Sequence, residues 1–276
     1  MQPLEIGVIF WAGADPAAQI AEARSLGARC GQLGVAGDYP LEGAAATWKA
    51  ALAAAEFPIV SVVGAYLGED YADIPTVLRT CGFVPESTRA VRLARTFELS
   101  DLAAAIGAPA IGAHVGFVPE DPNDPAYVAA RDAVRQICDY AAKNGQTFNL
   151  ETGQEPADVL LEFLRDVDRP NVRINFDPAN MILYGTGDPI EAFGVLAPHV
   201  VSVHCKDGDW PPKDVPGALG TEKPLGQGSV GMERFIAKVK ECGYRGPLVI
   251  EREGSQPAQW VIDVRNGAQL LERLRG

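Results

Sequence analysis

The sequence predicts an α/β protein, a (β/α)8 barrel of the TIM type that forms one domain over residues 1–276. Three observations predict it. Short β-rich runs alternate with longer segments of helical periodicity about eight times, the number that closes a parallel barrel. Gly27, Gly107, Gly145 and Gly243 each stand just past a helical segment, where a left-handed residue most easily ends a helix. The first strand runs into Trp11-Ala12-Gly13, whereas a doubly wound open sheet would want a GxGxxG turn there.

The elements follow in order. The opening run MQPLEIGVIFWAG is apolar but interrupted by Glu5, and it carries no basic leader. It reads as a strand over 4–10 and not as a signal peptide. A helix over 15–26 comes next, with Asp15 as N-cap, Pro16 in the first turn, and Ile20, Ala23 and Leu26 at helical spacing. Strand 30–35, helix 41–55, strand 59–65 and helix 86–106 lead to strand 110–114. Helix 124–144, strand 147–151, helix 156–166, strand 172–176, helix 189–196 and strand 200–204 continue the alternation. Helix 232–242, strand 248–251 and helix 257–274 complete it. Segment 207–228 is the least regular part, rich in Pro and Gly. Its place makes it a βα loop over the barrel mouth, where long loops usually cover ligands; the alternative is a surface insertion without a role. No linker is long enough to divide the chain.

Bulk properties remove several function classes. With 276 residues, 47% of them hydrophobic and 22% charged, the chain can bury a large core as an ordinary globular protein. A formal charge of -12 with no Lys/Arg-dense run argues against a nucleic-acid partner. No stretch approaches the roughly 20 apolar residues that cross a bilayer, so no membrane partner is expected. The five cysteines are scattered and contain no CxxC pair, which fits a reduced, cytoplasmic protein with small buried thiols.

Four metal-capable residues fall at the C-terminal ends of four consecutive predicted strands: Glu151 in FNLETGQE, Asp177 in RINFDPAN, His204 in VSVHCKD and Glu251 in LVIERE. Each follows an apolar run that would bury an unpaired charge badly. In a parallel barrel those ends converge on one face, so the four would meet in space. Three carboxylates and an imidazole suit a hard divalent ion, Mn2+ foremost, with Mg2+, Co2+ or Zn2+ as alternatives. A lone strand-end acid is usually a cap or a salt-bridge partner; four in succession are not.

These motifs, in this order, resemble the xylose-isomerase-like barrel superfamily of sugar phosphate isomerases and epimerases. Its members include ketose 3-epimerases of the tagatose and psicose type, inosose isomerases and dehydratases. The likeness covers essentially the whole chain and is strongest from Gly112 to Glu253. It implies that Glu151, Asp177, His204 and Glu251 hold the metal, and that Glu151 and Glu251 also serve as the acid/base pair. It further implies a small-molecule carbohydrate substrate, and it leaves a homo-oligomer open because family members are often dimers or tetramers. The epimerases usually place a His three residues after the metal Asp, and here that position is Asn180. Asn180 can hydrogen-bond a hydroxyl but exchanges no proton near neutral pH.

The chemistry expected of such a site is proton abstraction next to a carbonyl through a metal-stabilised enediolate. Return of the proton to the opposite face epimerises, return to the neighbouring carbon isomerises, and loss of a β-hydroxyl dehydrates. The leading expectation is therefore an isomerase or epimerase of a sugar, sugar phosphate or cyclitol. The alternative is a lyase acting on an inosose or 3-keto sugar. An abasic-site endonuclease resembles a three-zinc cluster fed by several histidines, and this chain has three in all. A metal-free binding barrel would make the strand-end acids dispensable. Further substrate-binding candidates are His114 at the end of the fourth strand, Gln154 and Glu155, Asn180, Lys206, and the loop indoles Trp11 and Trp210. Gln154 and Glu155 could equally cap a helix, and Lys206 could bind an oxyanion or phosphate or else pair with Asp207 or Glu253. His199, at the opposite end of its strand, reads as structural.

Overall fold

The computed structural model describes residues 3–276. Eight parallel strands close a barrel: β1 (Ile6–Trp11), β2 (Cys30–Val35), β3 (Ile59–Gly64), β4 (Ala110–Ala113), β5 (Thr147–Glu151), β6 (Val172–Phe176), β7 (Val200–Cys205) and β10 (Leu248–Ile250). They pair in the order β1-β10-β7-β6-β5-β4-β3-β2. Strands β8 (Asp207–Asp209) and β9 (Thr221–Lys223) form a separate antiparallel hairpin between β7 and β10.

The strands are buried on both faces, as closure into a barrel requires. Alternate residues point to opposite sides of a strand, and here the two sets join different clusters. Ile6, Val8, Phe10, Leu33, Val62, Ile174, Val203 and Leu248 pack with the helices in the main core. Ile9, Val63 and Val249 form a second, small cluster, which alternation places inside the barrel. Phe176, Phe193 and Phe235 meet at centroid distances of 5.1 to 5.8 Å outside β6. Each fully buried side chain of this size contributes on the order of 2 kcal/mol.

The expected strands all form, with ends shifted by a residue or two. β1 begins at Ile6 because Leu4 has a positive φ of 55°. The helix expected from 41 begins at Ala44, behind Gly43 with φ 73°. Asp15 caps its helix as expected, its carboxylate accepting from Ala18 N at 3.0 Å.

Not expected were the hairpin, two seven-residue helices, α3 (Ile74–Thr80) and α7 (Pro178–Tyr184), and a single 3-10 turn at Ala197–His199. Helix α3 buries only Val77 and so leaves no periodicity in the sequence. Helix α7 starts at the residue after Asp177, whose carboxylate caps it by accepting from Asn180 N at 2.9 Å. The 207–228 segment does cross the mouth, tied by Ile74 N donating to Gly217 O at 2.9 Å and Gly220 N donating to Leu183 O at 2.8 Å. Among the described residues no helix is long and apolar enough to cross a membrane. Four of the five free cysteines are buried and Cys242 is half-buried; burial pushes the Cys30 and Cys138 thiols up to about 12.

Candidate active site

The barrel interior is polar where strands β2, β6 and β7 face one another. Gln32 Nε2 donates to Asn175 Oδ1 and to Ser202 Oγ, each at 3.1 Å. Gln32 Oε1 lies 2.6 Å from His204 Nε2, so that nitrogen carries a proton and donates it. Asn175 Nδ2 also approaches His204 Nε2, at 2.9 Å; the shorter contact, to a carbonyl oxygen that can only accept, decides the tautomer. His204 therefore turns Nδ1 toward the mouth.

Three carboxylates surround that Nδ1. Glu251 Oε2 lies at 2.8 Å, Glu151 Oε1 at 3.0 Å and Asp177 Oδ2 at 3.5 Å. One ligand atom from each of the four residues falls within 4.8 Å of the others. All four are buried. They come from four consecutive strand ends: Glu151 is the last residue of β5, Asp177 follows β6, His204 lies in β7, and Glu251 follows β10.

Three anions packed on one imidazole require a positive charge among them. Burial alone would depress the His204 pKa, but Glu151 and Glu251 outweigh it and raise it well above the usual range. Burial likewise raises both glutamates, and His204 more than offsets it, leaving Glu151 lowered and Glu251 well below the ordinary value. Asp177 is pushed up to about 6, mainly by burial, and its Oδ2 is buried with no hydrogen-bond partner among the described residues. An orphaned carboxylate oxygen aimed at a cluster of ligand-type atoms is what a cation site requires. This buried group of four could hold a divalent metal ion; three oxygens and one nitrogen match a fairly hard one.

A cavity of about 310 Å3 opens against this cluster, lined by Glu151, Glu251, Asn180, His114 and Lys206 on its polar side. Ile9, Val63, Trp11, Tyr71, Leu183 and Leu219 supply apolar wall. Lys206 Nζ donates to Glu253 at 2.9 Å and Glu251 at 3.3 Å. Burial works against its charge, but Glu251, Glu253 and Asp177 raise its pKa well above the usual value.

A family model described as xylose isomerase-like TIM barrel matches residues 20–274. The chain belongs to that family. Among solved structures it is similar to a xylose isomerase domain protein from Planctomyces limnophilus, at 44% identity and a TM-score of 0.93, covering 99% of this chain and 98% of that one. It is also similar to D-allulose 3-epimerase from Methylomonas sp., at 19% identity and a TM-score of 0.71, covering 100% and 99% of the two chains. Among curated proteins it matches 3-dehydroshikimate dehydratase from Bacillus anthracis, 31% identical over 129 residues. That match covers 42% of this chain and 46% of the relative, so it spans about half the relative's length.

On this xylose isomerase-like barrel the remaining candidates take different places. His114, just past β4, lines the cavity with Nε2 3.9 Å from Glu151 Oε1. Gln154 Nε2 stands 3.1 Å from its Nδ1, so Gln154 reaches the site through His114. Neither Gln154 nor Glu155 caps a helix, because α6 (Ala157–Val167) begins after Pro156. Glu155 instead accepts from Val118 N at 2.9 Å behind β5, away from the main cavity, and burial pushes it up to about 7. Asn180 Nδ2 donates to Glu151 Oε1 at 3.3 Å. Of the two alternatives for Lys206, Glu253 is its partner; Asp207 turns away and accepts from backbone N–H groups. Trp11 lines the cavity, whereas Trp210, on the loop, does not. His199 is half-buried at the start of β7, far along the strand from the cluster.

Sequence reasoning missed Gln32, Asn175 and Ser202, which organise His204. Their signal was a buried-strand polar residue at the inward register of the barrel: Gln32 in CGQLGV, Asn175 in VRINF and Ser202 in VVSVHC. It also missed Tyr71, packed 5.7 Å from His114, and Glu222, carried by the hairpin.

Proposed function

We propose that this chain is a metal-dependent isomerase or epimerase of a free sugar, sugar phosphate or cyclitol, with Mn2+ as the leading ion. The observation that carries the reading is the cluster of Glu151, Asp177, His204 and Glu251 within 4.8 Å, open to a cavity of small-molecule size. A divalent ion there would supply an electrophile that polarises a substrate carbonyl and offsets the negative charge developing as a proton leaves.

The chain's own residues perform the remaining work. Glu151 and Glu251 both line the cavity and act as the acid/base pair. One takes the proton from the carbon beside the carbonyl. The other delivers a proton to the opposite face, which inverts that centre, or to the adjacent carbon, which exchanges aldose and ketose. His114 and Asn180 contact substrate hydroxyls, and Trp11 stacks on the C–H face of the ring. Gln32 and Asn175 keep His204 oriented.

A second reading, a lyase that eliminates a β-hydroxyl from an inosose or 3-keto sugar, is favoured by the partial similarity to a dehydratase and by Asn180 in place of a proton-exchanging His. Incubation of the Mn2+-loaded protein in D2O with a ketose panel and an inosose panel separates them. Deuterium beside the carbonyl with unchanged carbon skeleton and hydroxyl count supports the isomerase. A new ultraviolet-absorbing enone or dione supports the lyase. Absence of exchange and of elimination with every compound would refute both.

A further inference from the structure

We propose that the cavity admits only uncharged polyhydroxy carbonyl compounds, and that Glu222 and Glu253 form a charge filter that rejects phosphorylated and carboxylated analogues. The inference rests on reading the site as a carbohydrate-transforming one and narrows its substrate to free sugars and cyclitols.

Among the described residues, four carboxylates line the cavity, Glu151, Glu222, Glu251 and Glu253, against one ammonium, Lys206, and no guanidinium. Lys206 is the group that would have to grip an anion. Its Nζ is already within 2.9 Å of Glu253, 3.3 Å of Glu251 and 3.9 Å of Asp177. A phosphate would have to compete with carboxylates from three residues to reach it.

Barrels of this class commonly bind phosphate with the backbone amides that follow their last two strands. Here those amides are occupied from within the chain. After β7, the Asp207 carboxylate accepts from Gly208 N at 2.9 Å, Gly226 N at 2.9 Å and Val230 N at 3.1 Å. After β10, Glu222 accepts from Glu253 N at 2.9 Å. The Arg252 guanidinium, next to Glu251 and Glu253 in the chain, is held by Glu222 at 2.9 Å and by Asp263 at 2.8 Å. At the start of α7, Asp177 takes the Asn180 amide. Each of these positions carries a built-in carboxylate. A neutral hydroxyl, which both donates and accepts, meets no such opposition.

The test compares matched pairs on the Mn2+-loaded protein: D-fructose with D-fructose 6-phosphate, and an inosose with 3-dehydroshikimate. The measurements are deuterium exchange beside the carbonyl and calorimetric binding, on wild type and Glu222→Gln/Glu253→Gln. In wild type the neutral member of a pair exchanges with a kcat/KM about 100-fold or more above the charged one. In the double variant affinity for the charged member rises about tenfold or more, as removal of two nearby like charges requires. Glu253→Gln alone, which leaves the Glu222–Arg252 pair intact, gives a smaller gain in the same direction. A charged member that wild type binds or exchanges as well as its neutral counterpart overturns the filter and leaves the isomerase reading standing. If no compound exchanges its proton, that reading fails, and the filter is then decided by binding alone. Equal affinity of wild type and both variants for the phosphate ester would overturn it.

Discussion

His204 Nδ1 lies 2.8 Å from Glu251 Oε2 while the far side of the same ring, Nε2, is held 2.6 Å from Gln32 Oε1. The ring is thus locked between an amide inside the barrel and a carboxylate at its mouth. One end donates the Nε2 proton to Gln32, and the other turns Nδ1 toward three acids whose charge favours the protonated ring.

Glu251→Gln replaces an acceptor-only group by one that offers two N–H donors to the cluster. It also removes one member of the acid/base pair. Metal content after dialysis falls, and turnover on any substrate drops by about 100-fold or more. Elemental analysis and a rate measurement check this together; full activity in the variant removes Glu251 from the chemistry.

Gln32→Leu leaves the four clustered side chains intact but takes away the acceptor for His204 Nε2–H. Loss of such an outer partner typically weakens a metal site by about 10- to 100-fold. The expected result is weaker Mn2+ binding with an unchanged far-ultraviolet circular dichroism spectrum. Unaltered affinity would mean that Gln32 plays no part in orienting the ring.

Gly153 adopts φ 145°, and a Cβ built there would stand 2.5 Å from the Asn180 Cβ. Gly153→Ala therefore displaces Asn180 from its hydrogen bond to Glu151, and backbone strain of about 1–3 kcal/mol accompanies it. Both thermal stability and KM are expected to suffer. A variant matching wild type in both would contradict the positioning of Asn180.

Burial raises Glu155 from 4.5 to about 7. A carboxyl raised in the folded state favours folding in its protonated form, so its contribution is intact below about pH 4.5 and is lost as pH climbs through about 7. Between about pH 5 and pH 8 this group alone costs the fold up to about 3 kcal/mol. Glu155→Gln keeps an acceptor for the Val118 amide and removes that slope. Urea unfolding at the two pH values is expected to show the variant gaining on wild type only at the higher one; parallel pH dependences would refute the assignment.

The barrel was legible in the sequence because its strands are buried on both faces and its helices end at glycines such as Gly107 and Gly145, which take φ of 81° and 69°. Glu151, Asp177, His204 and Glu251 were legible for a related reason: a charged residue directly after an apolar run is conspicuous, and a parallel barrel brings such ends together. Gln32 and Asn175 were not. A polar residue in a strand reads as solvent-facing until the sheet closes and turns that face inward. Glu222 was hidden differently, since a three-residue strand in a Pro/Gly-rich loop has no periodicity, and only the hairpin pairing of β8 with β9 carries it to the cavity. Trp210 shows the converse: lying on a mouth loop did not bring it to the pocket.

The most direct measurement is a calorimetric titration of the metal-stripped chain with Mn2+, on wild type and on His204→Ala. Wild type is expected to bind one ion per chain with protons released on binding, and the variant to lose that site. Equal binding by both proteins, or none by wild type, would contradict it.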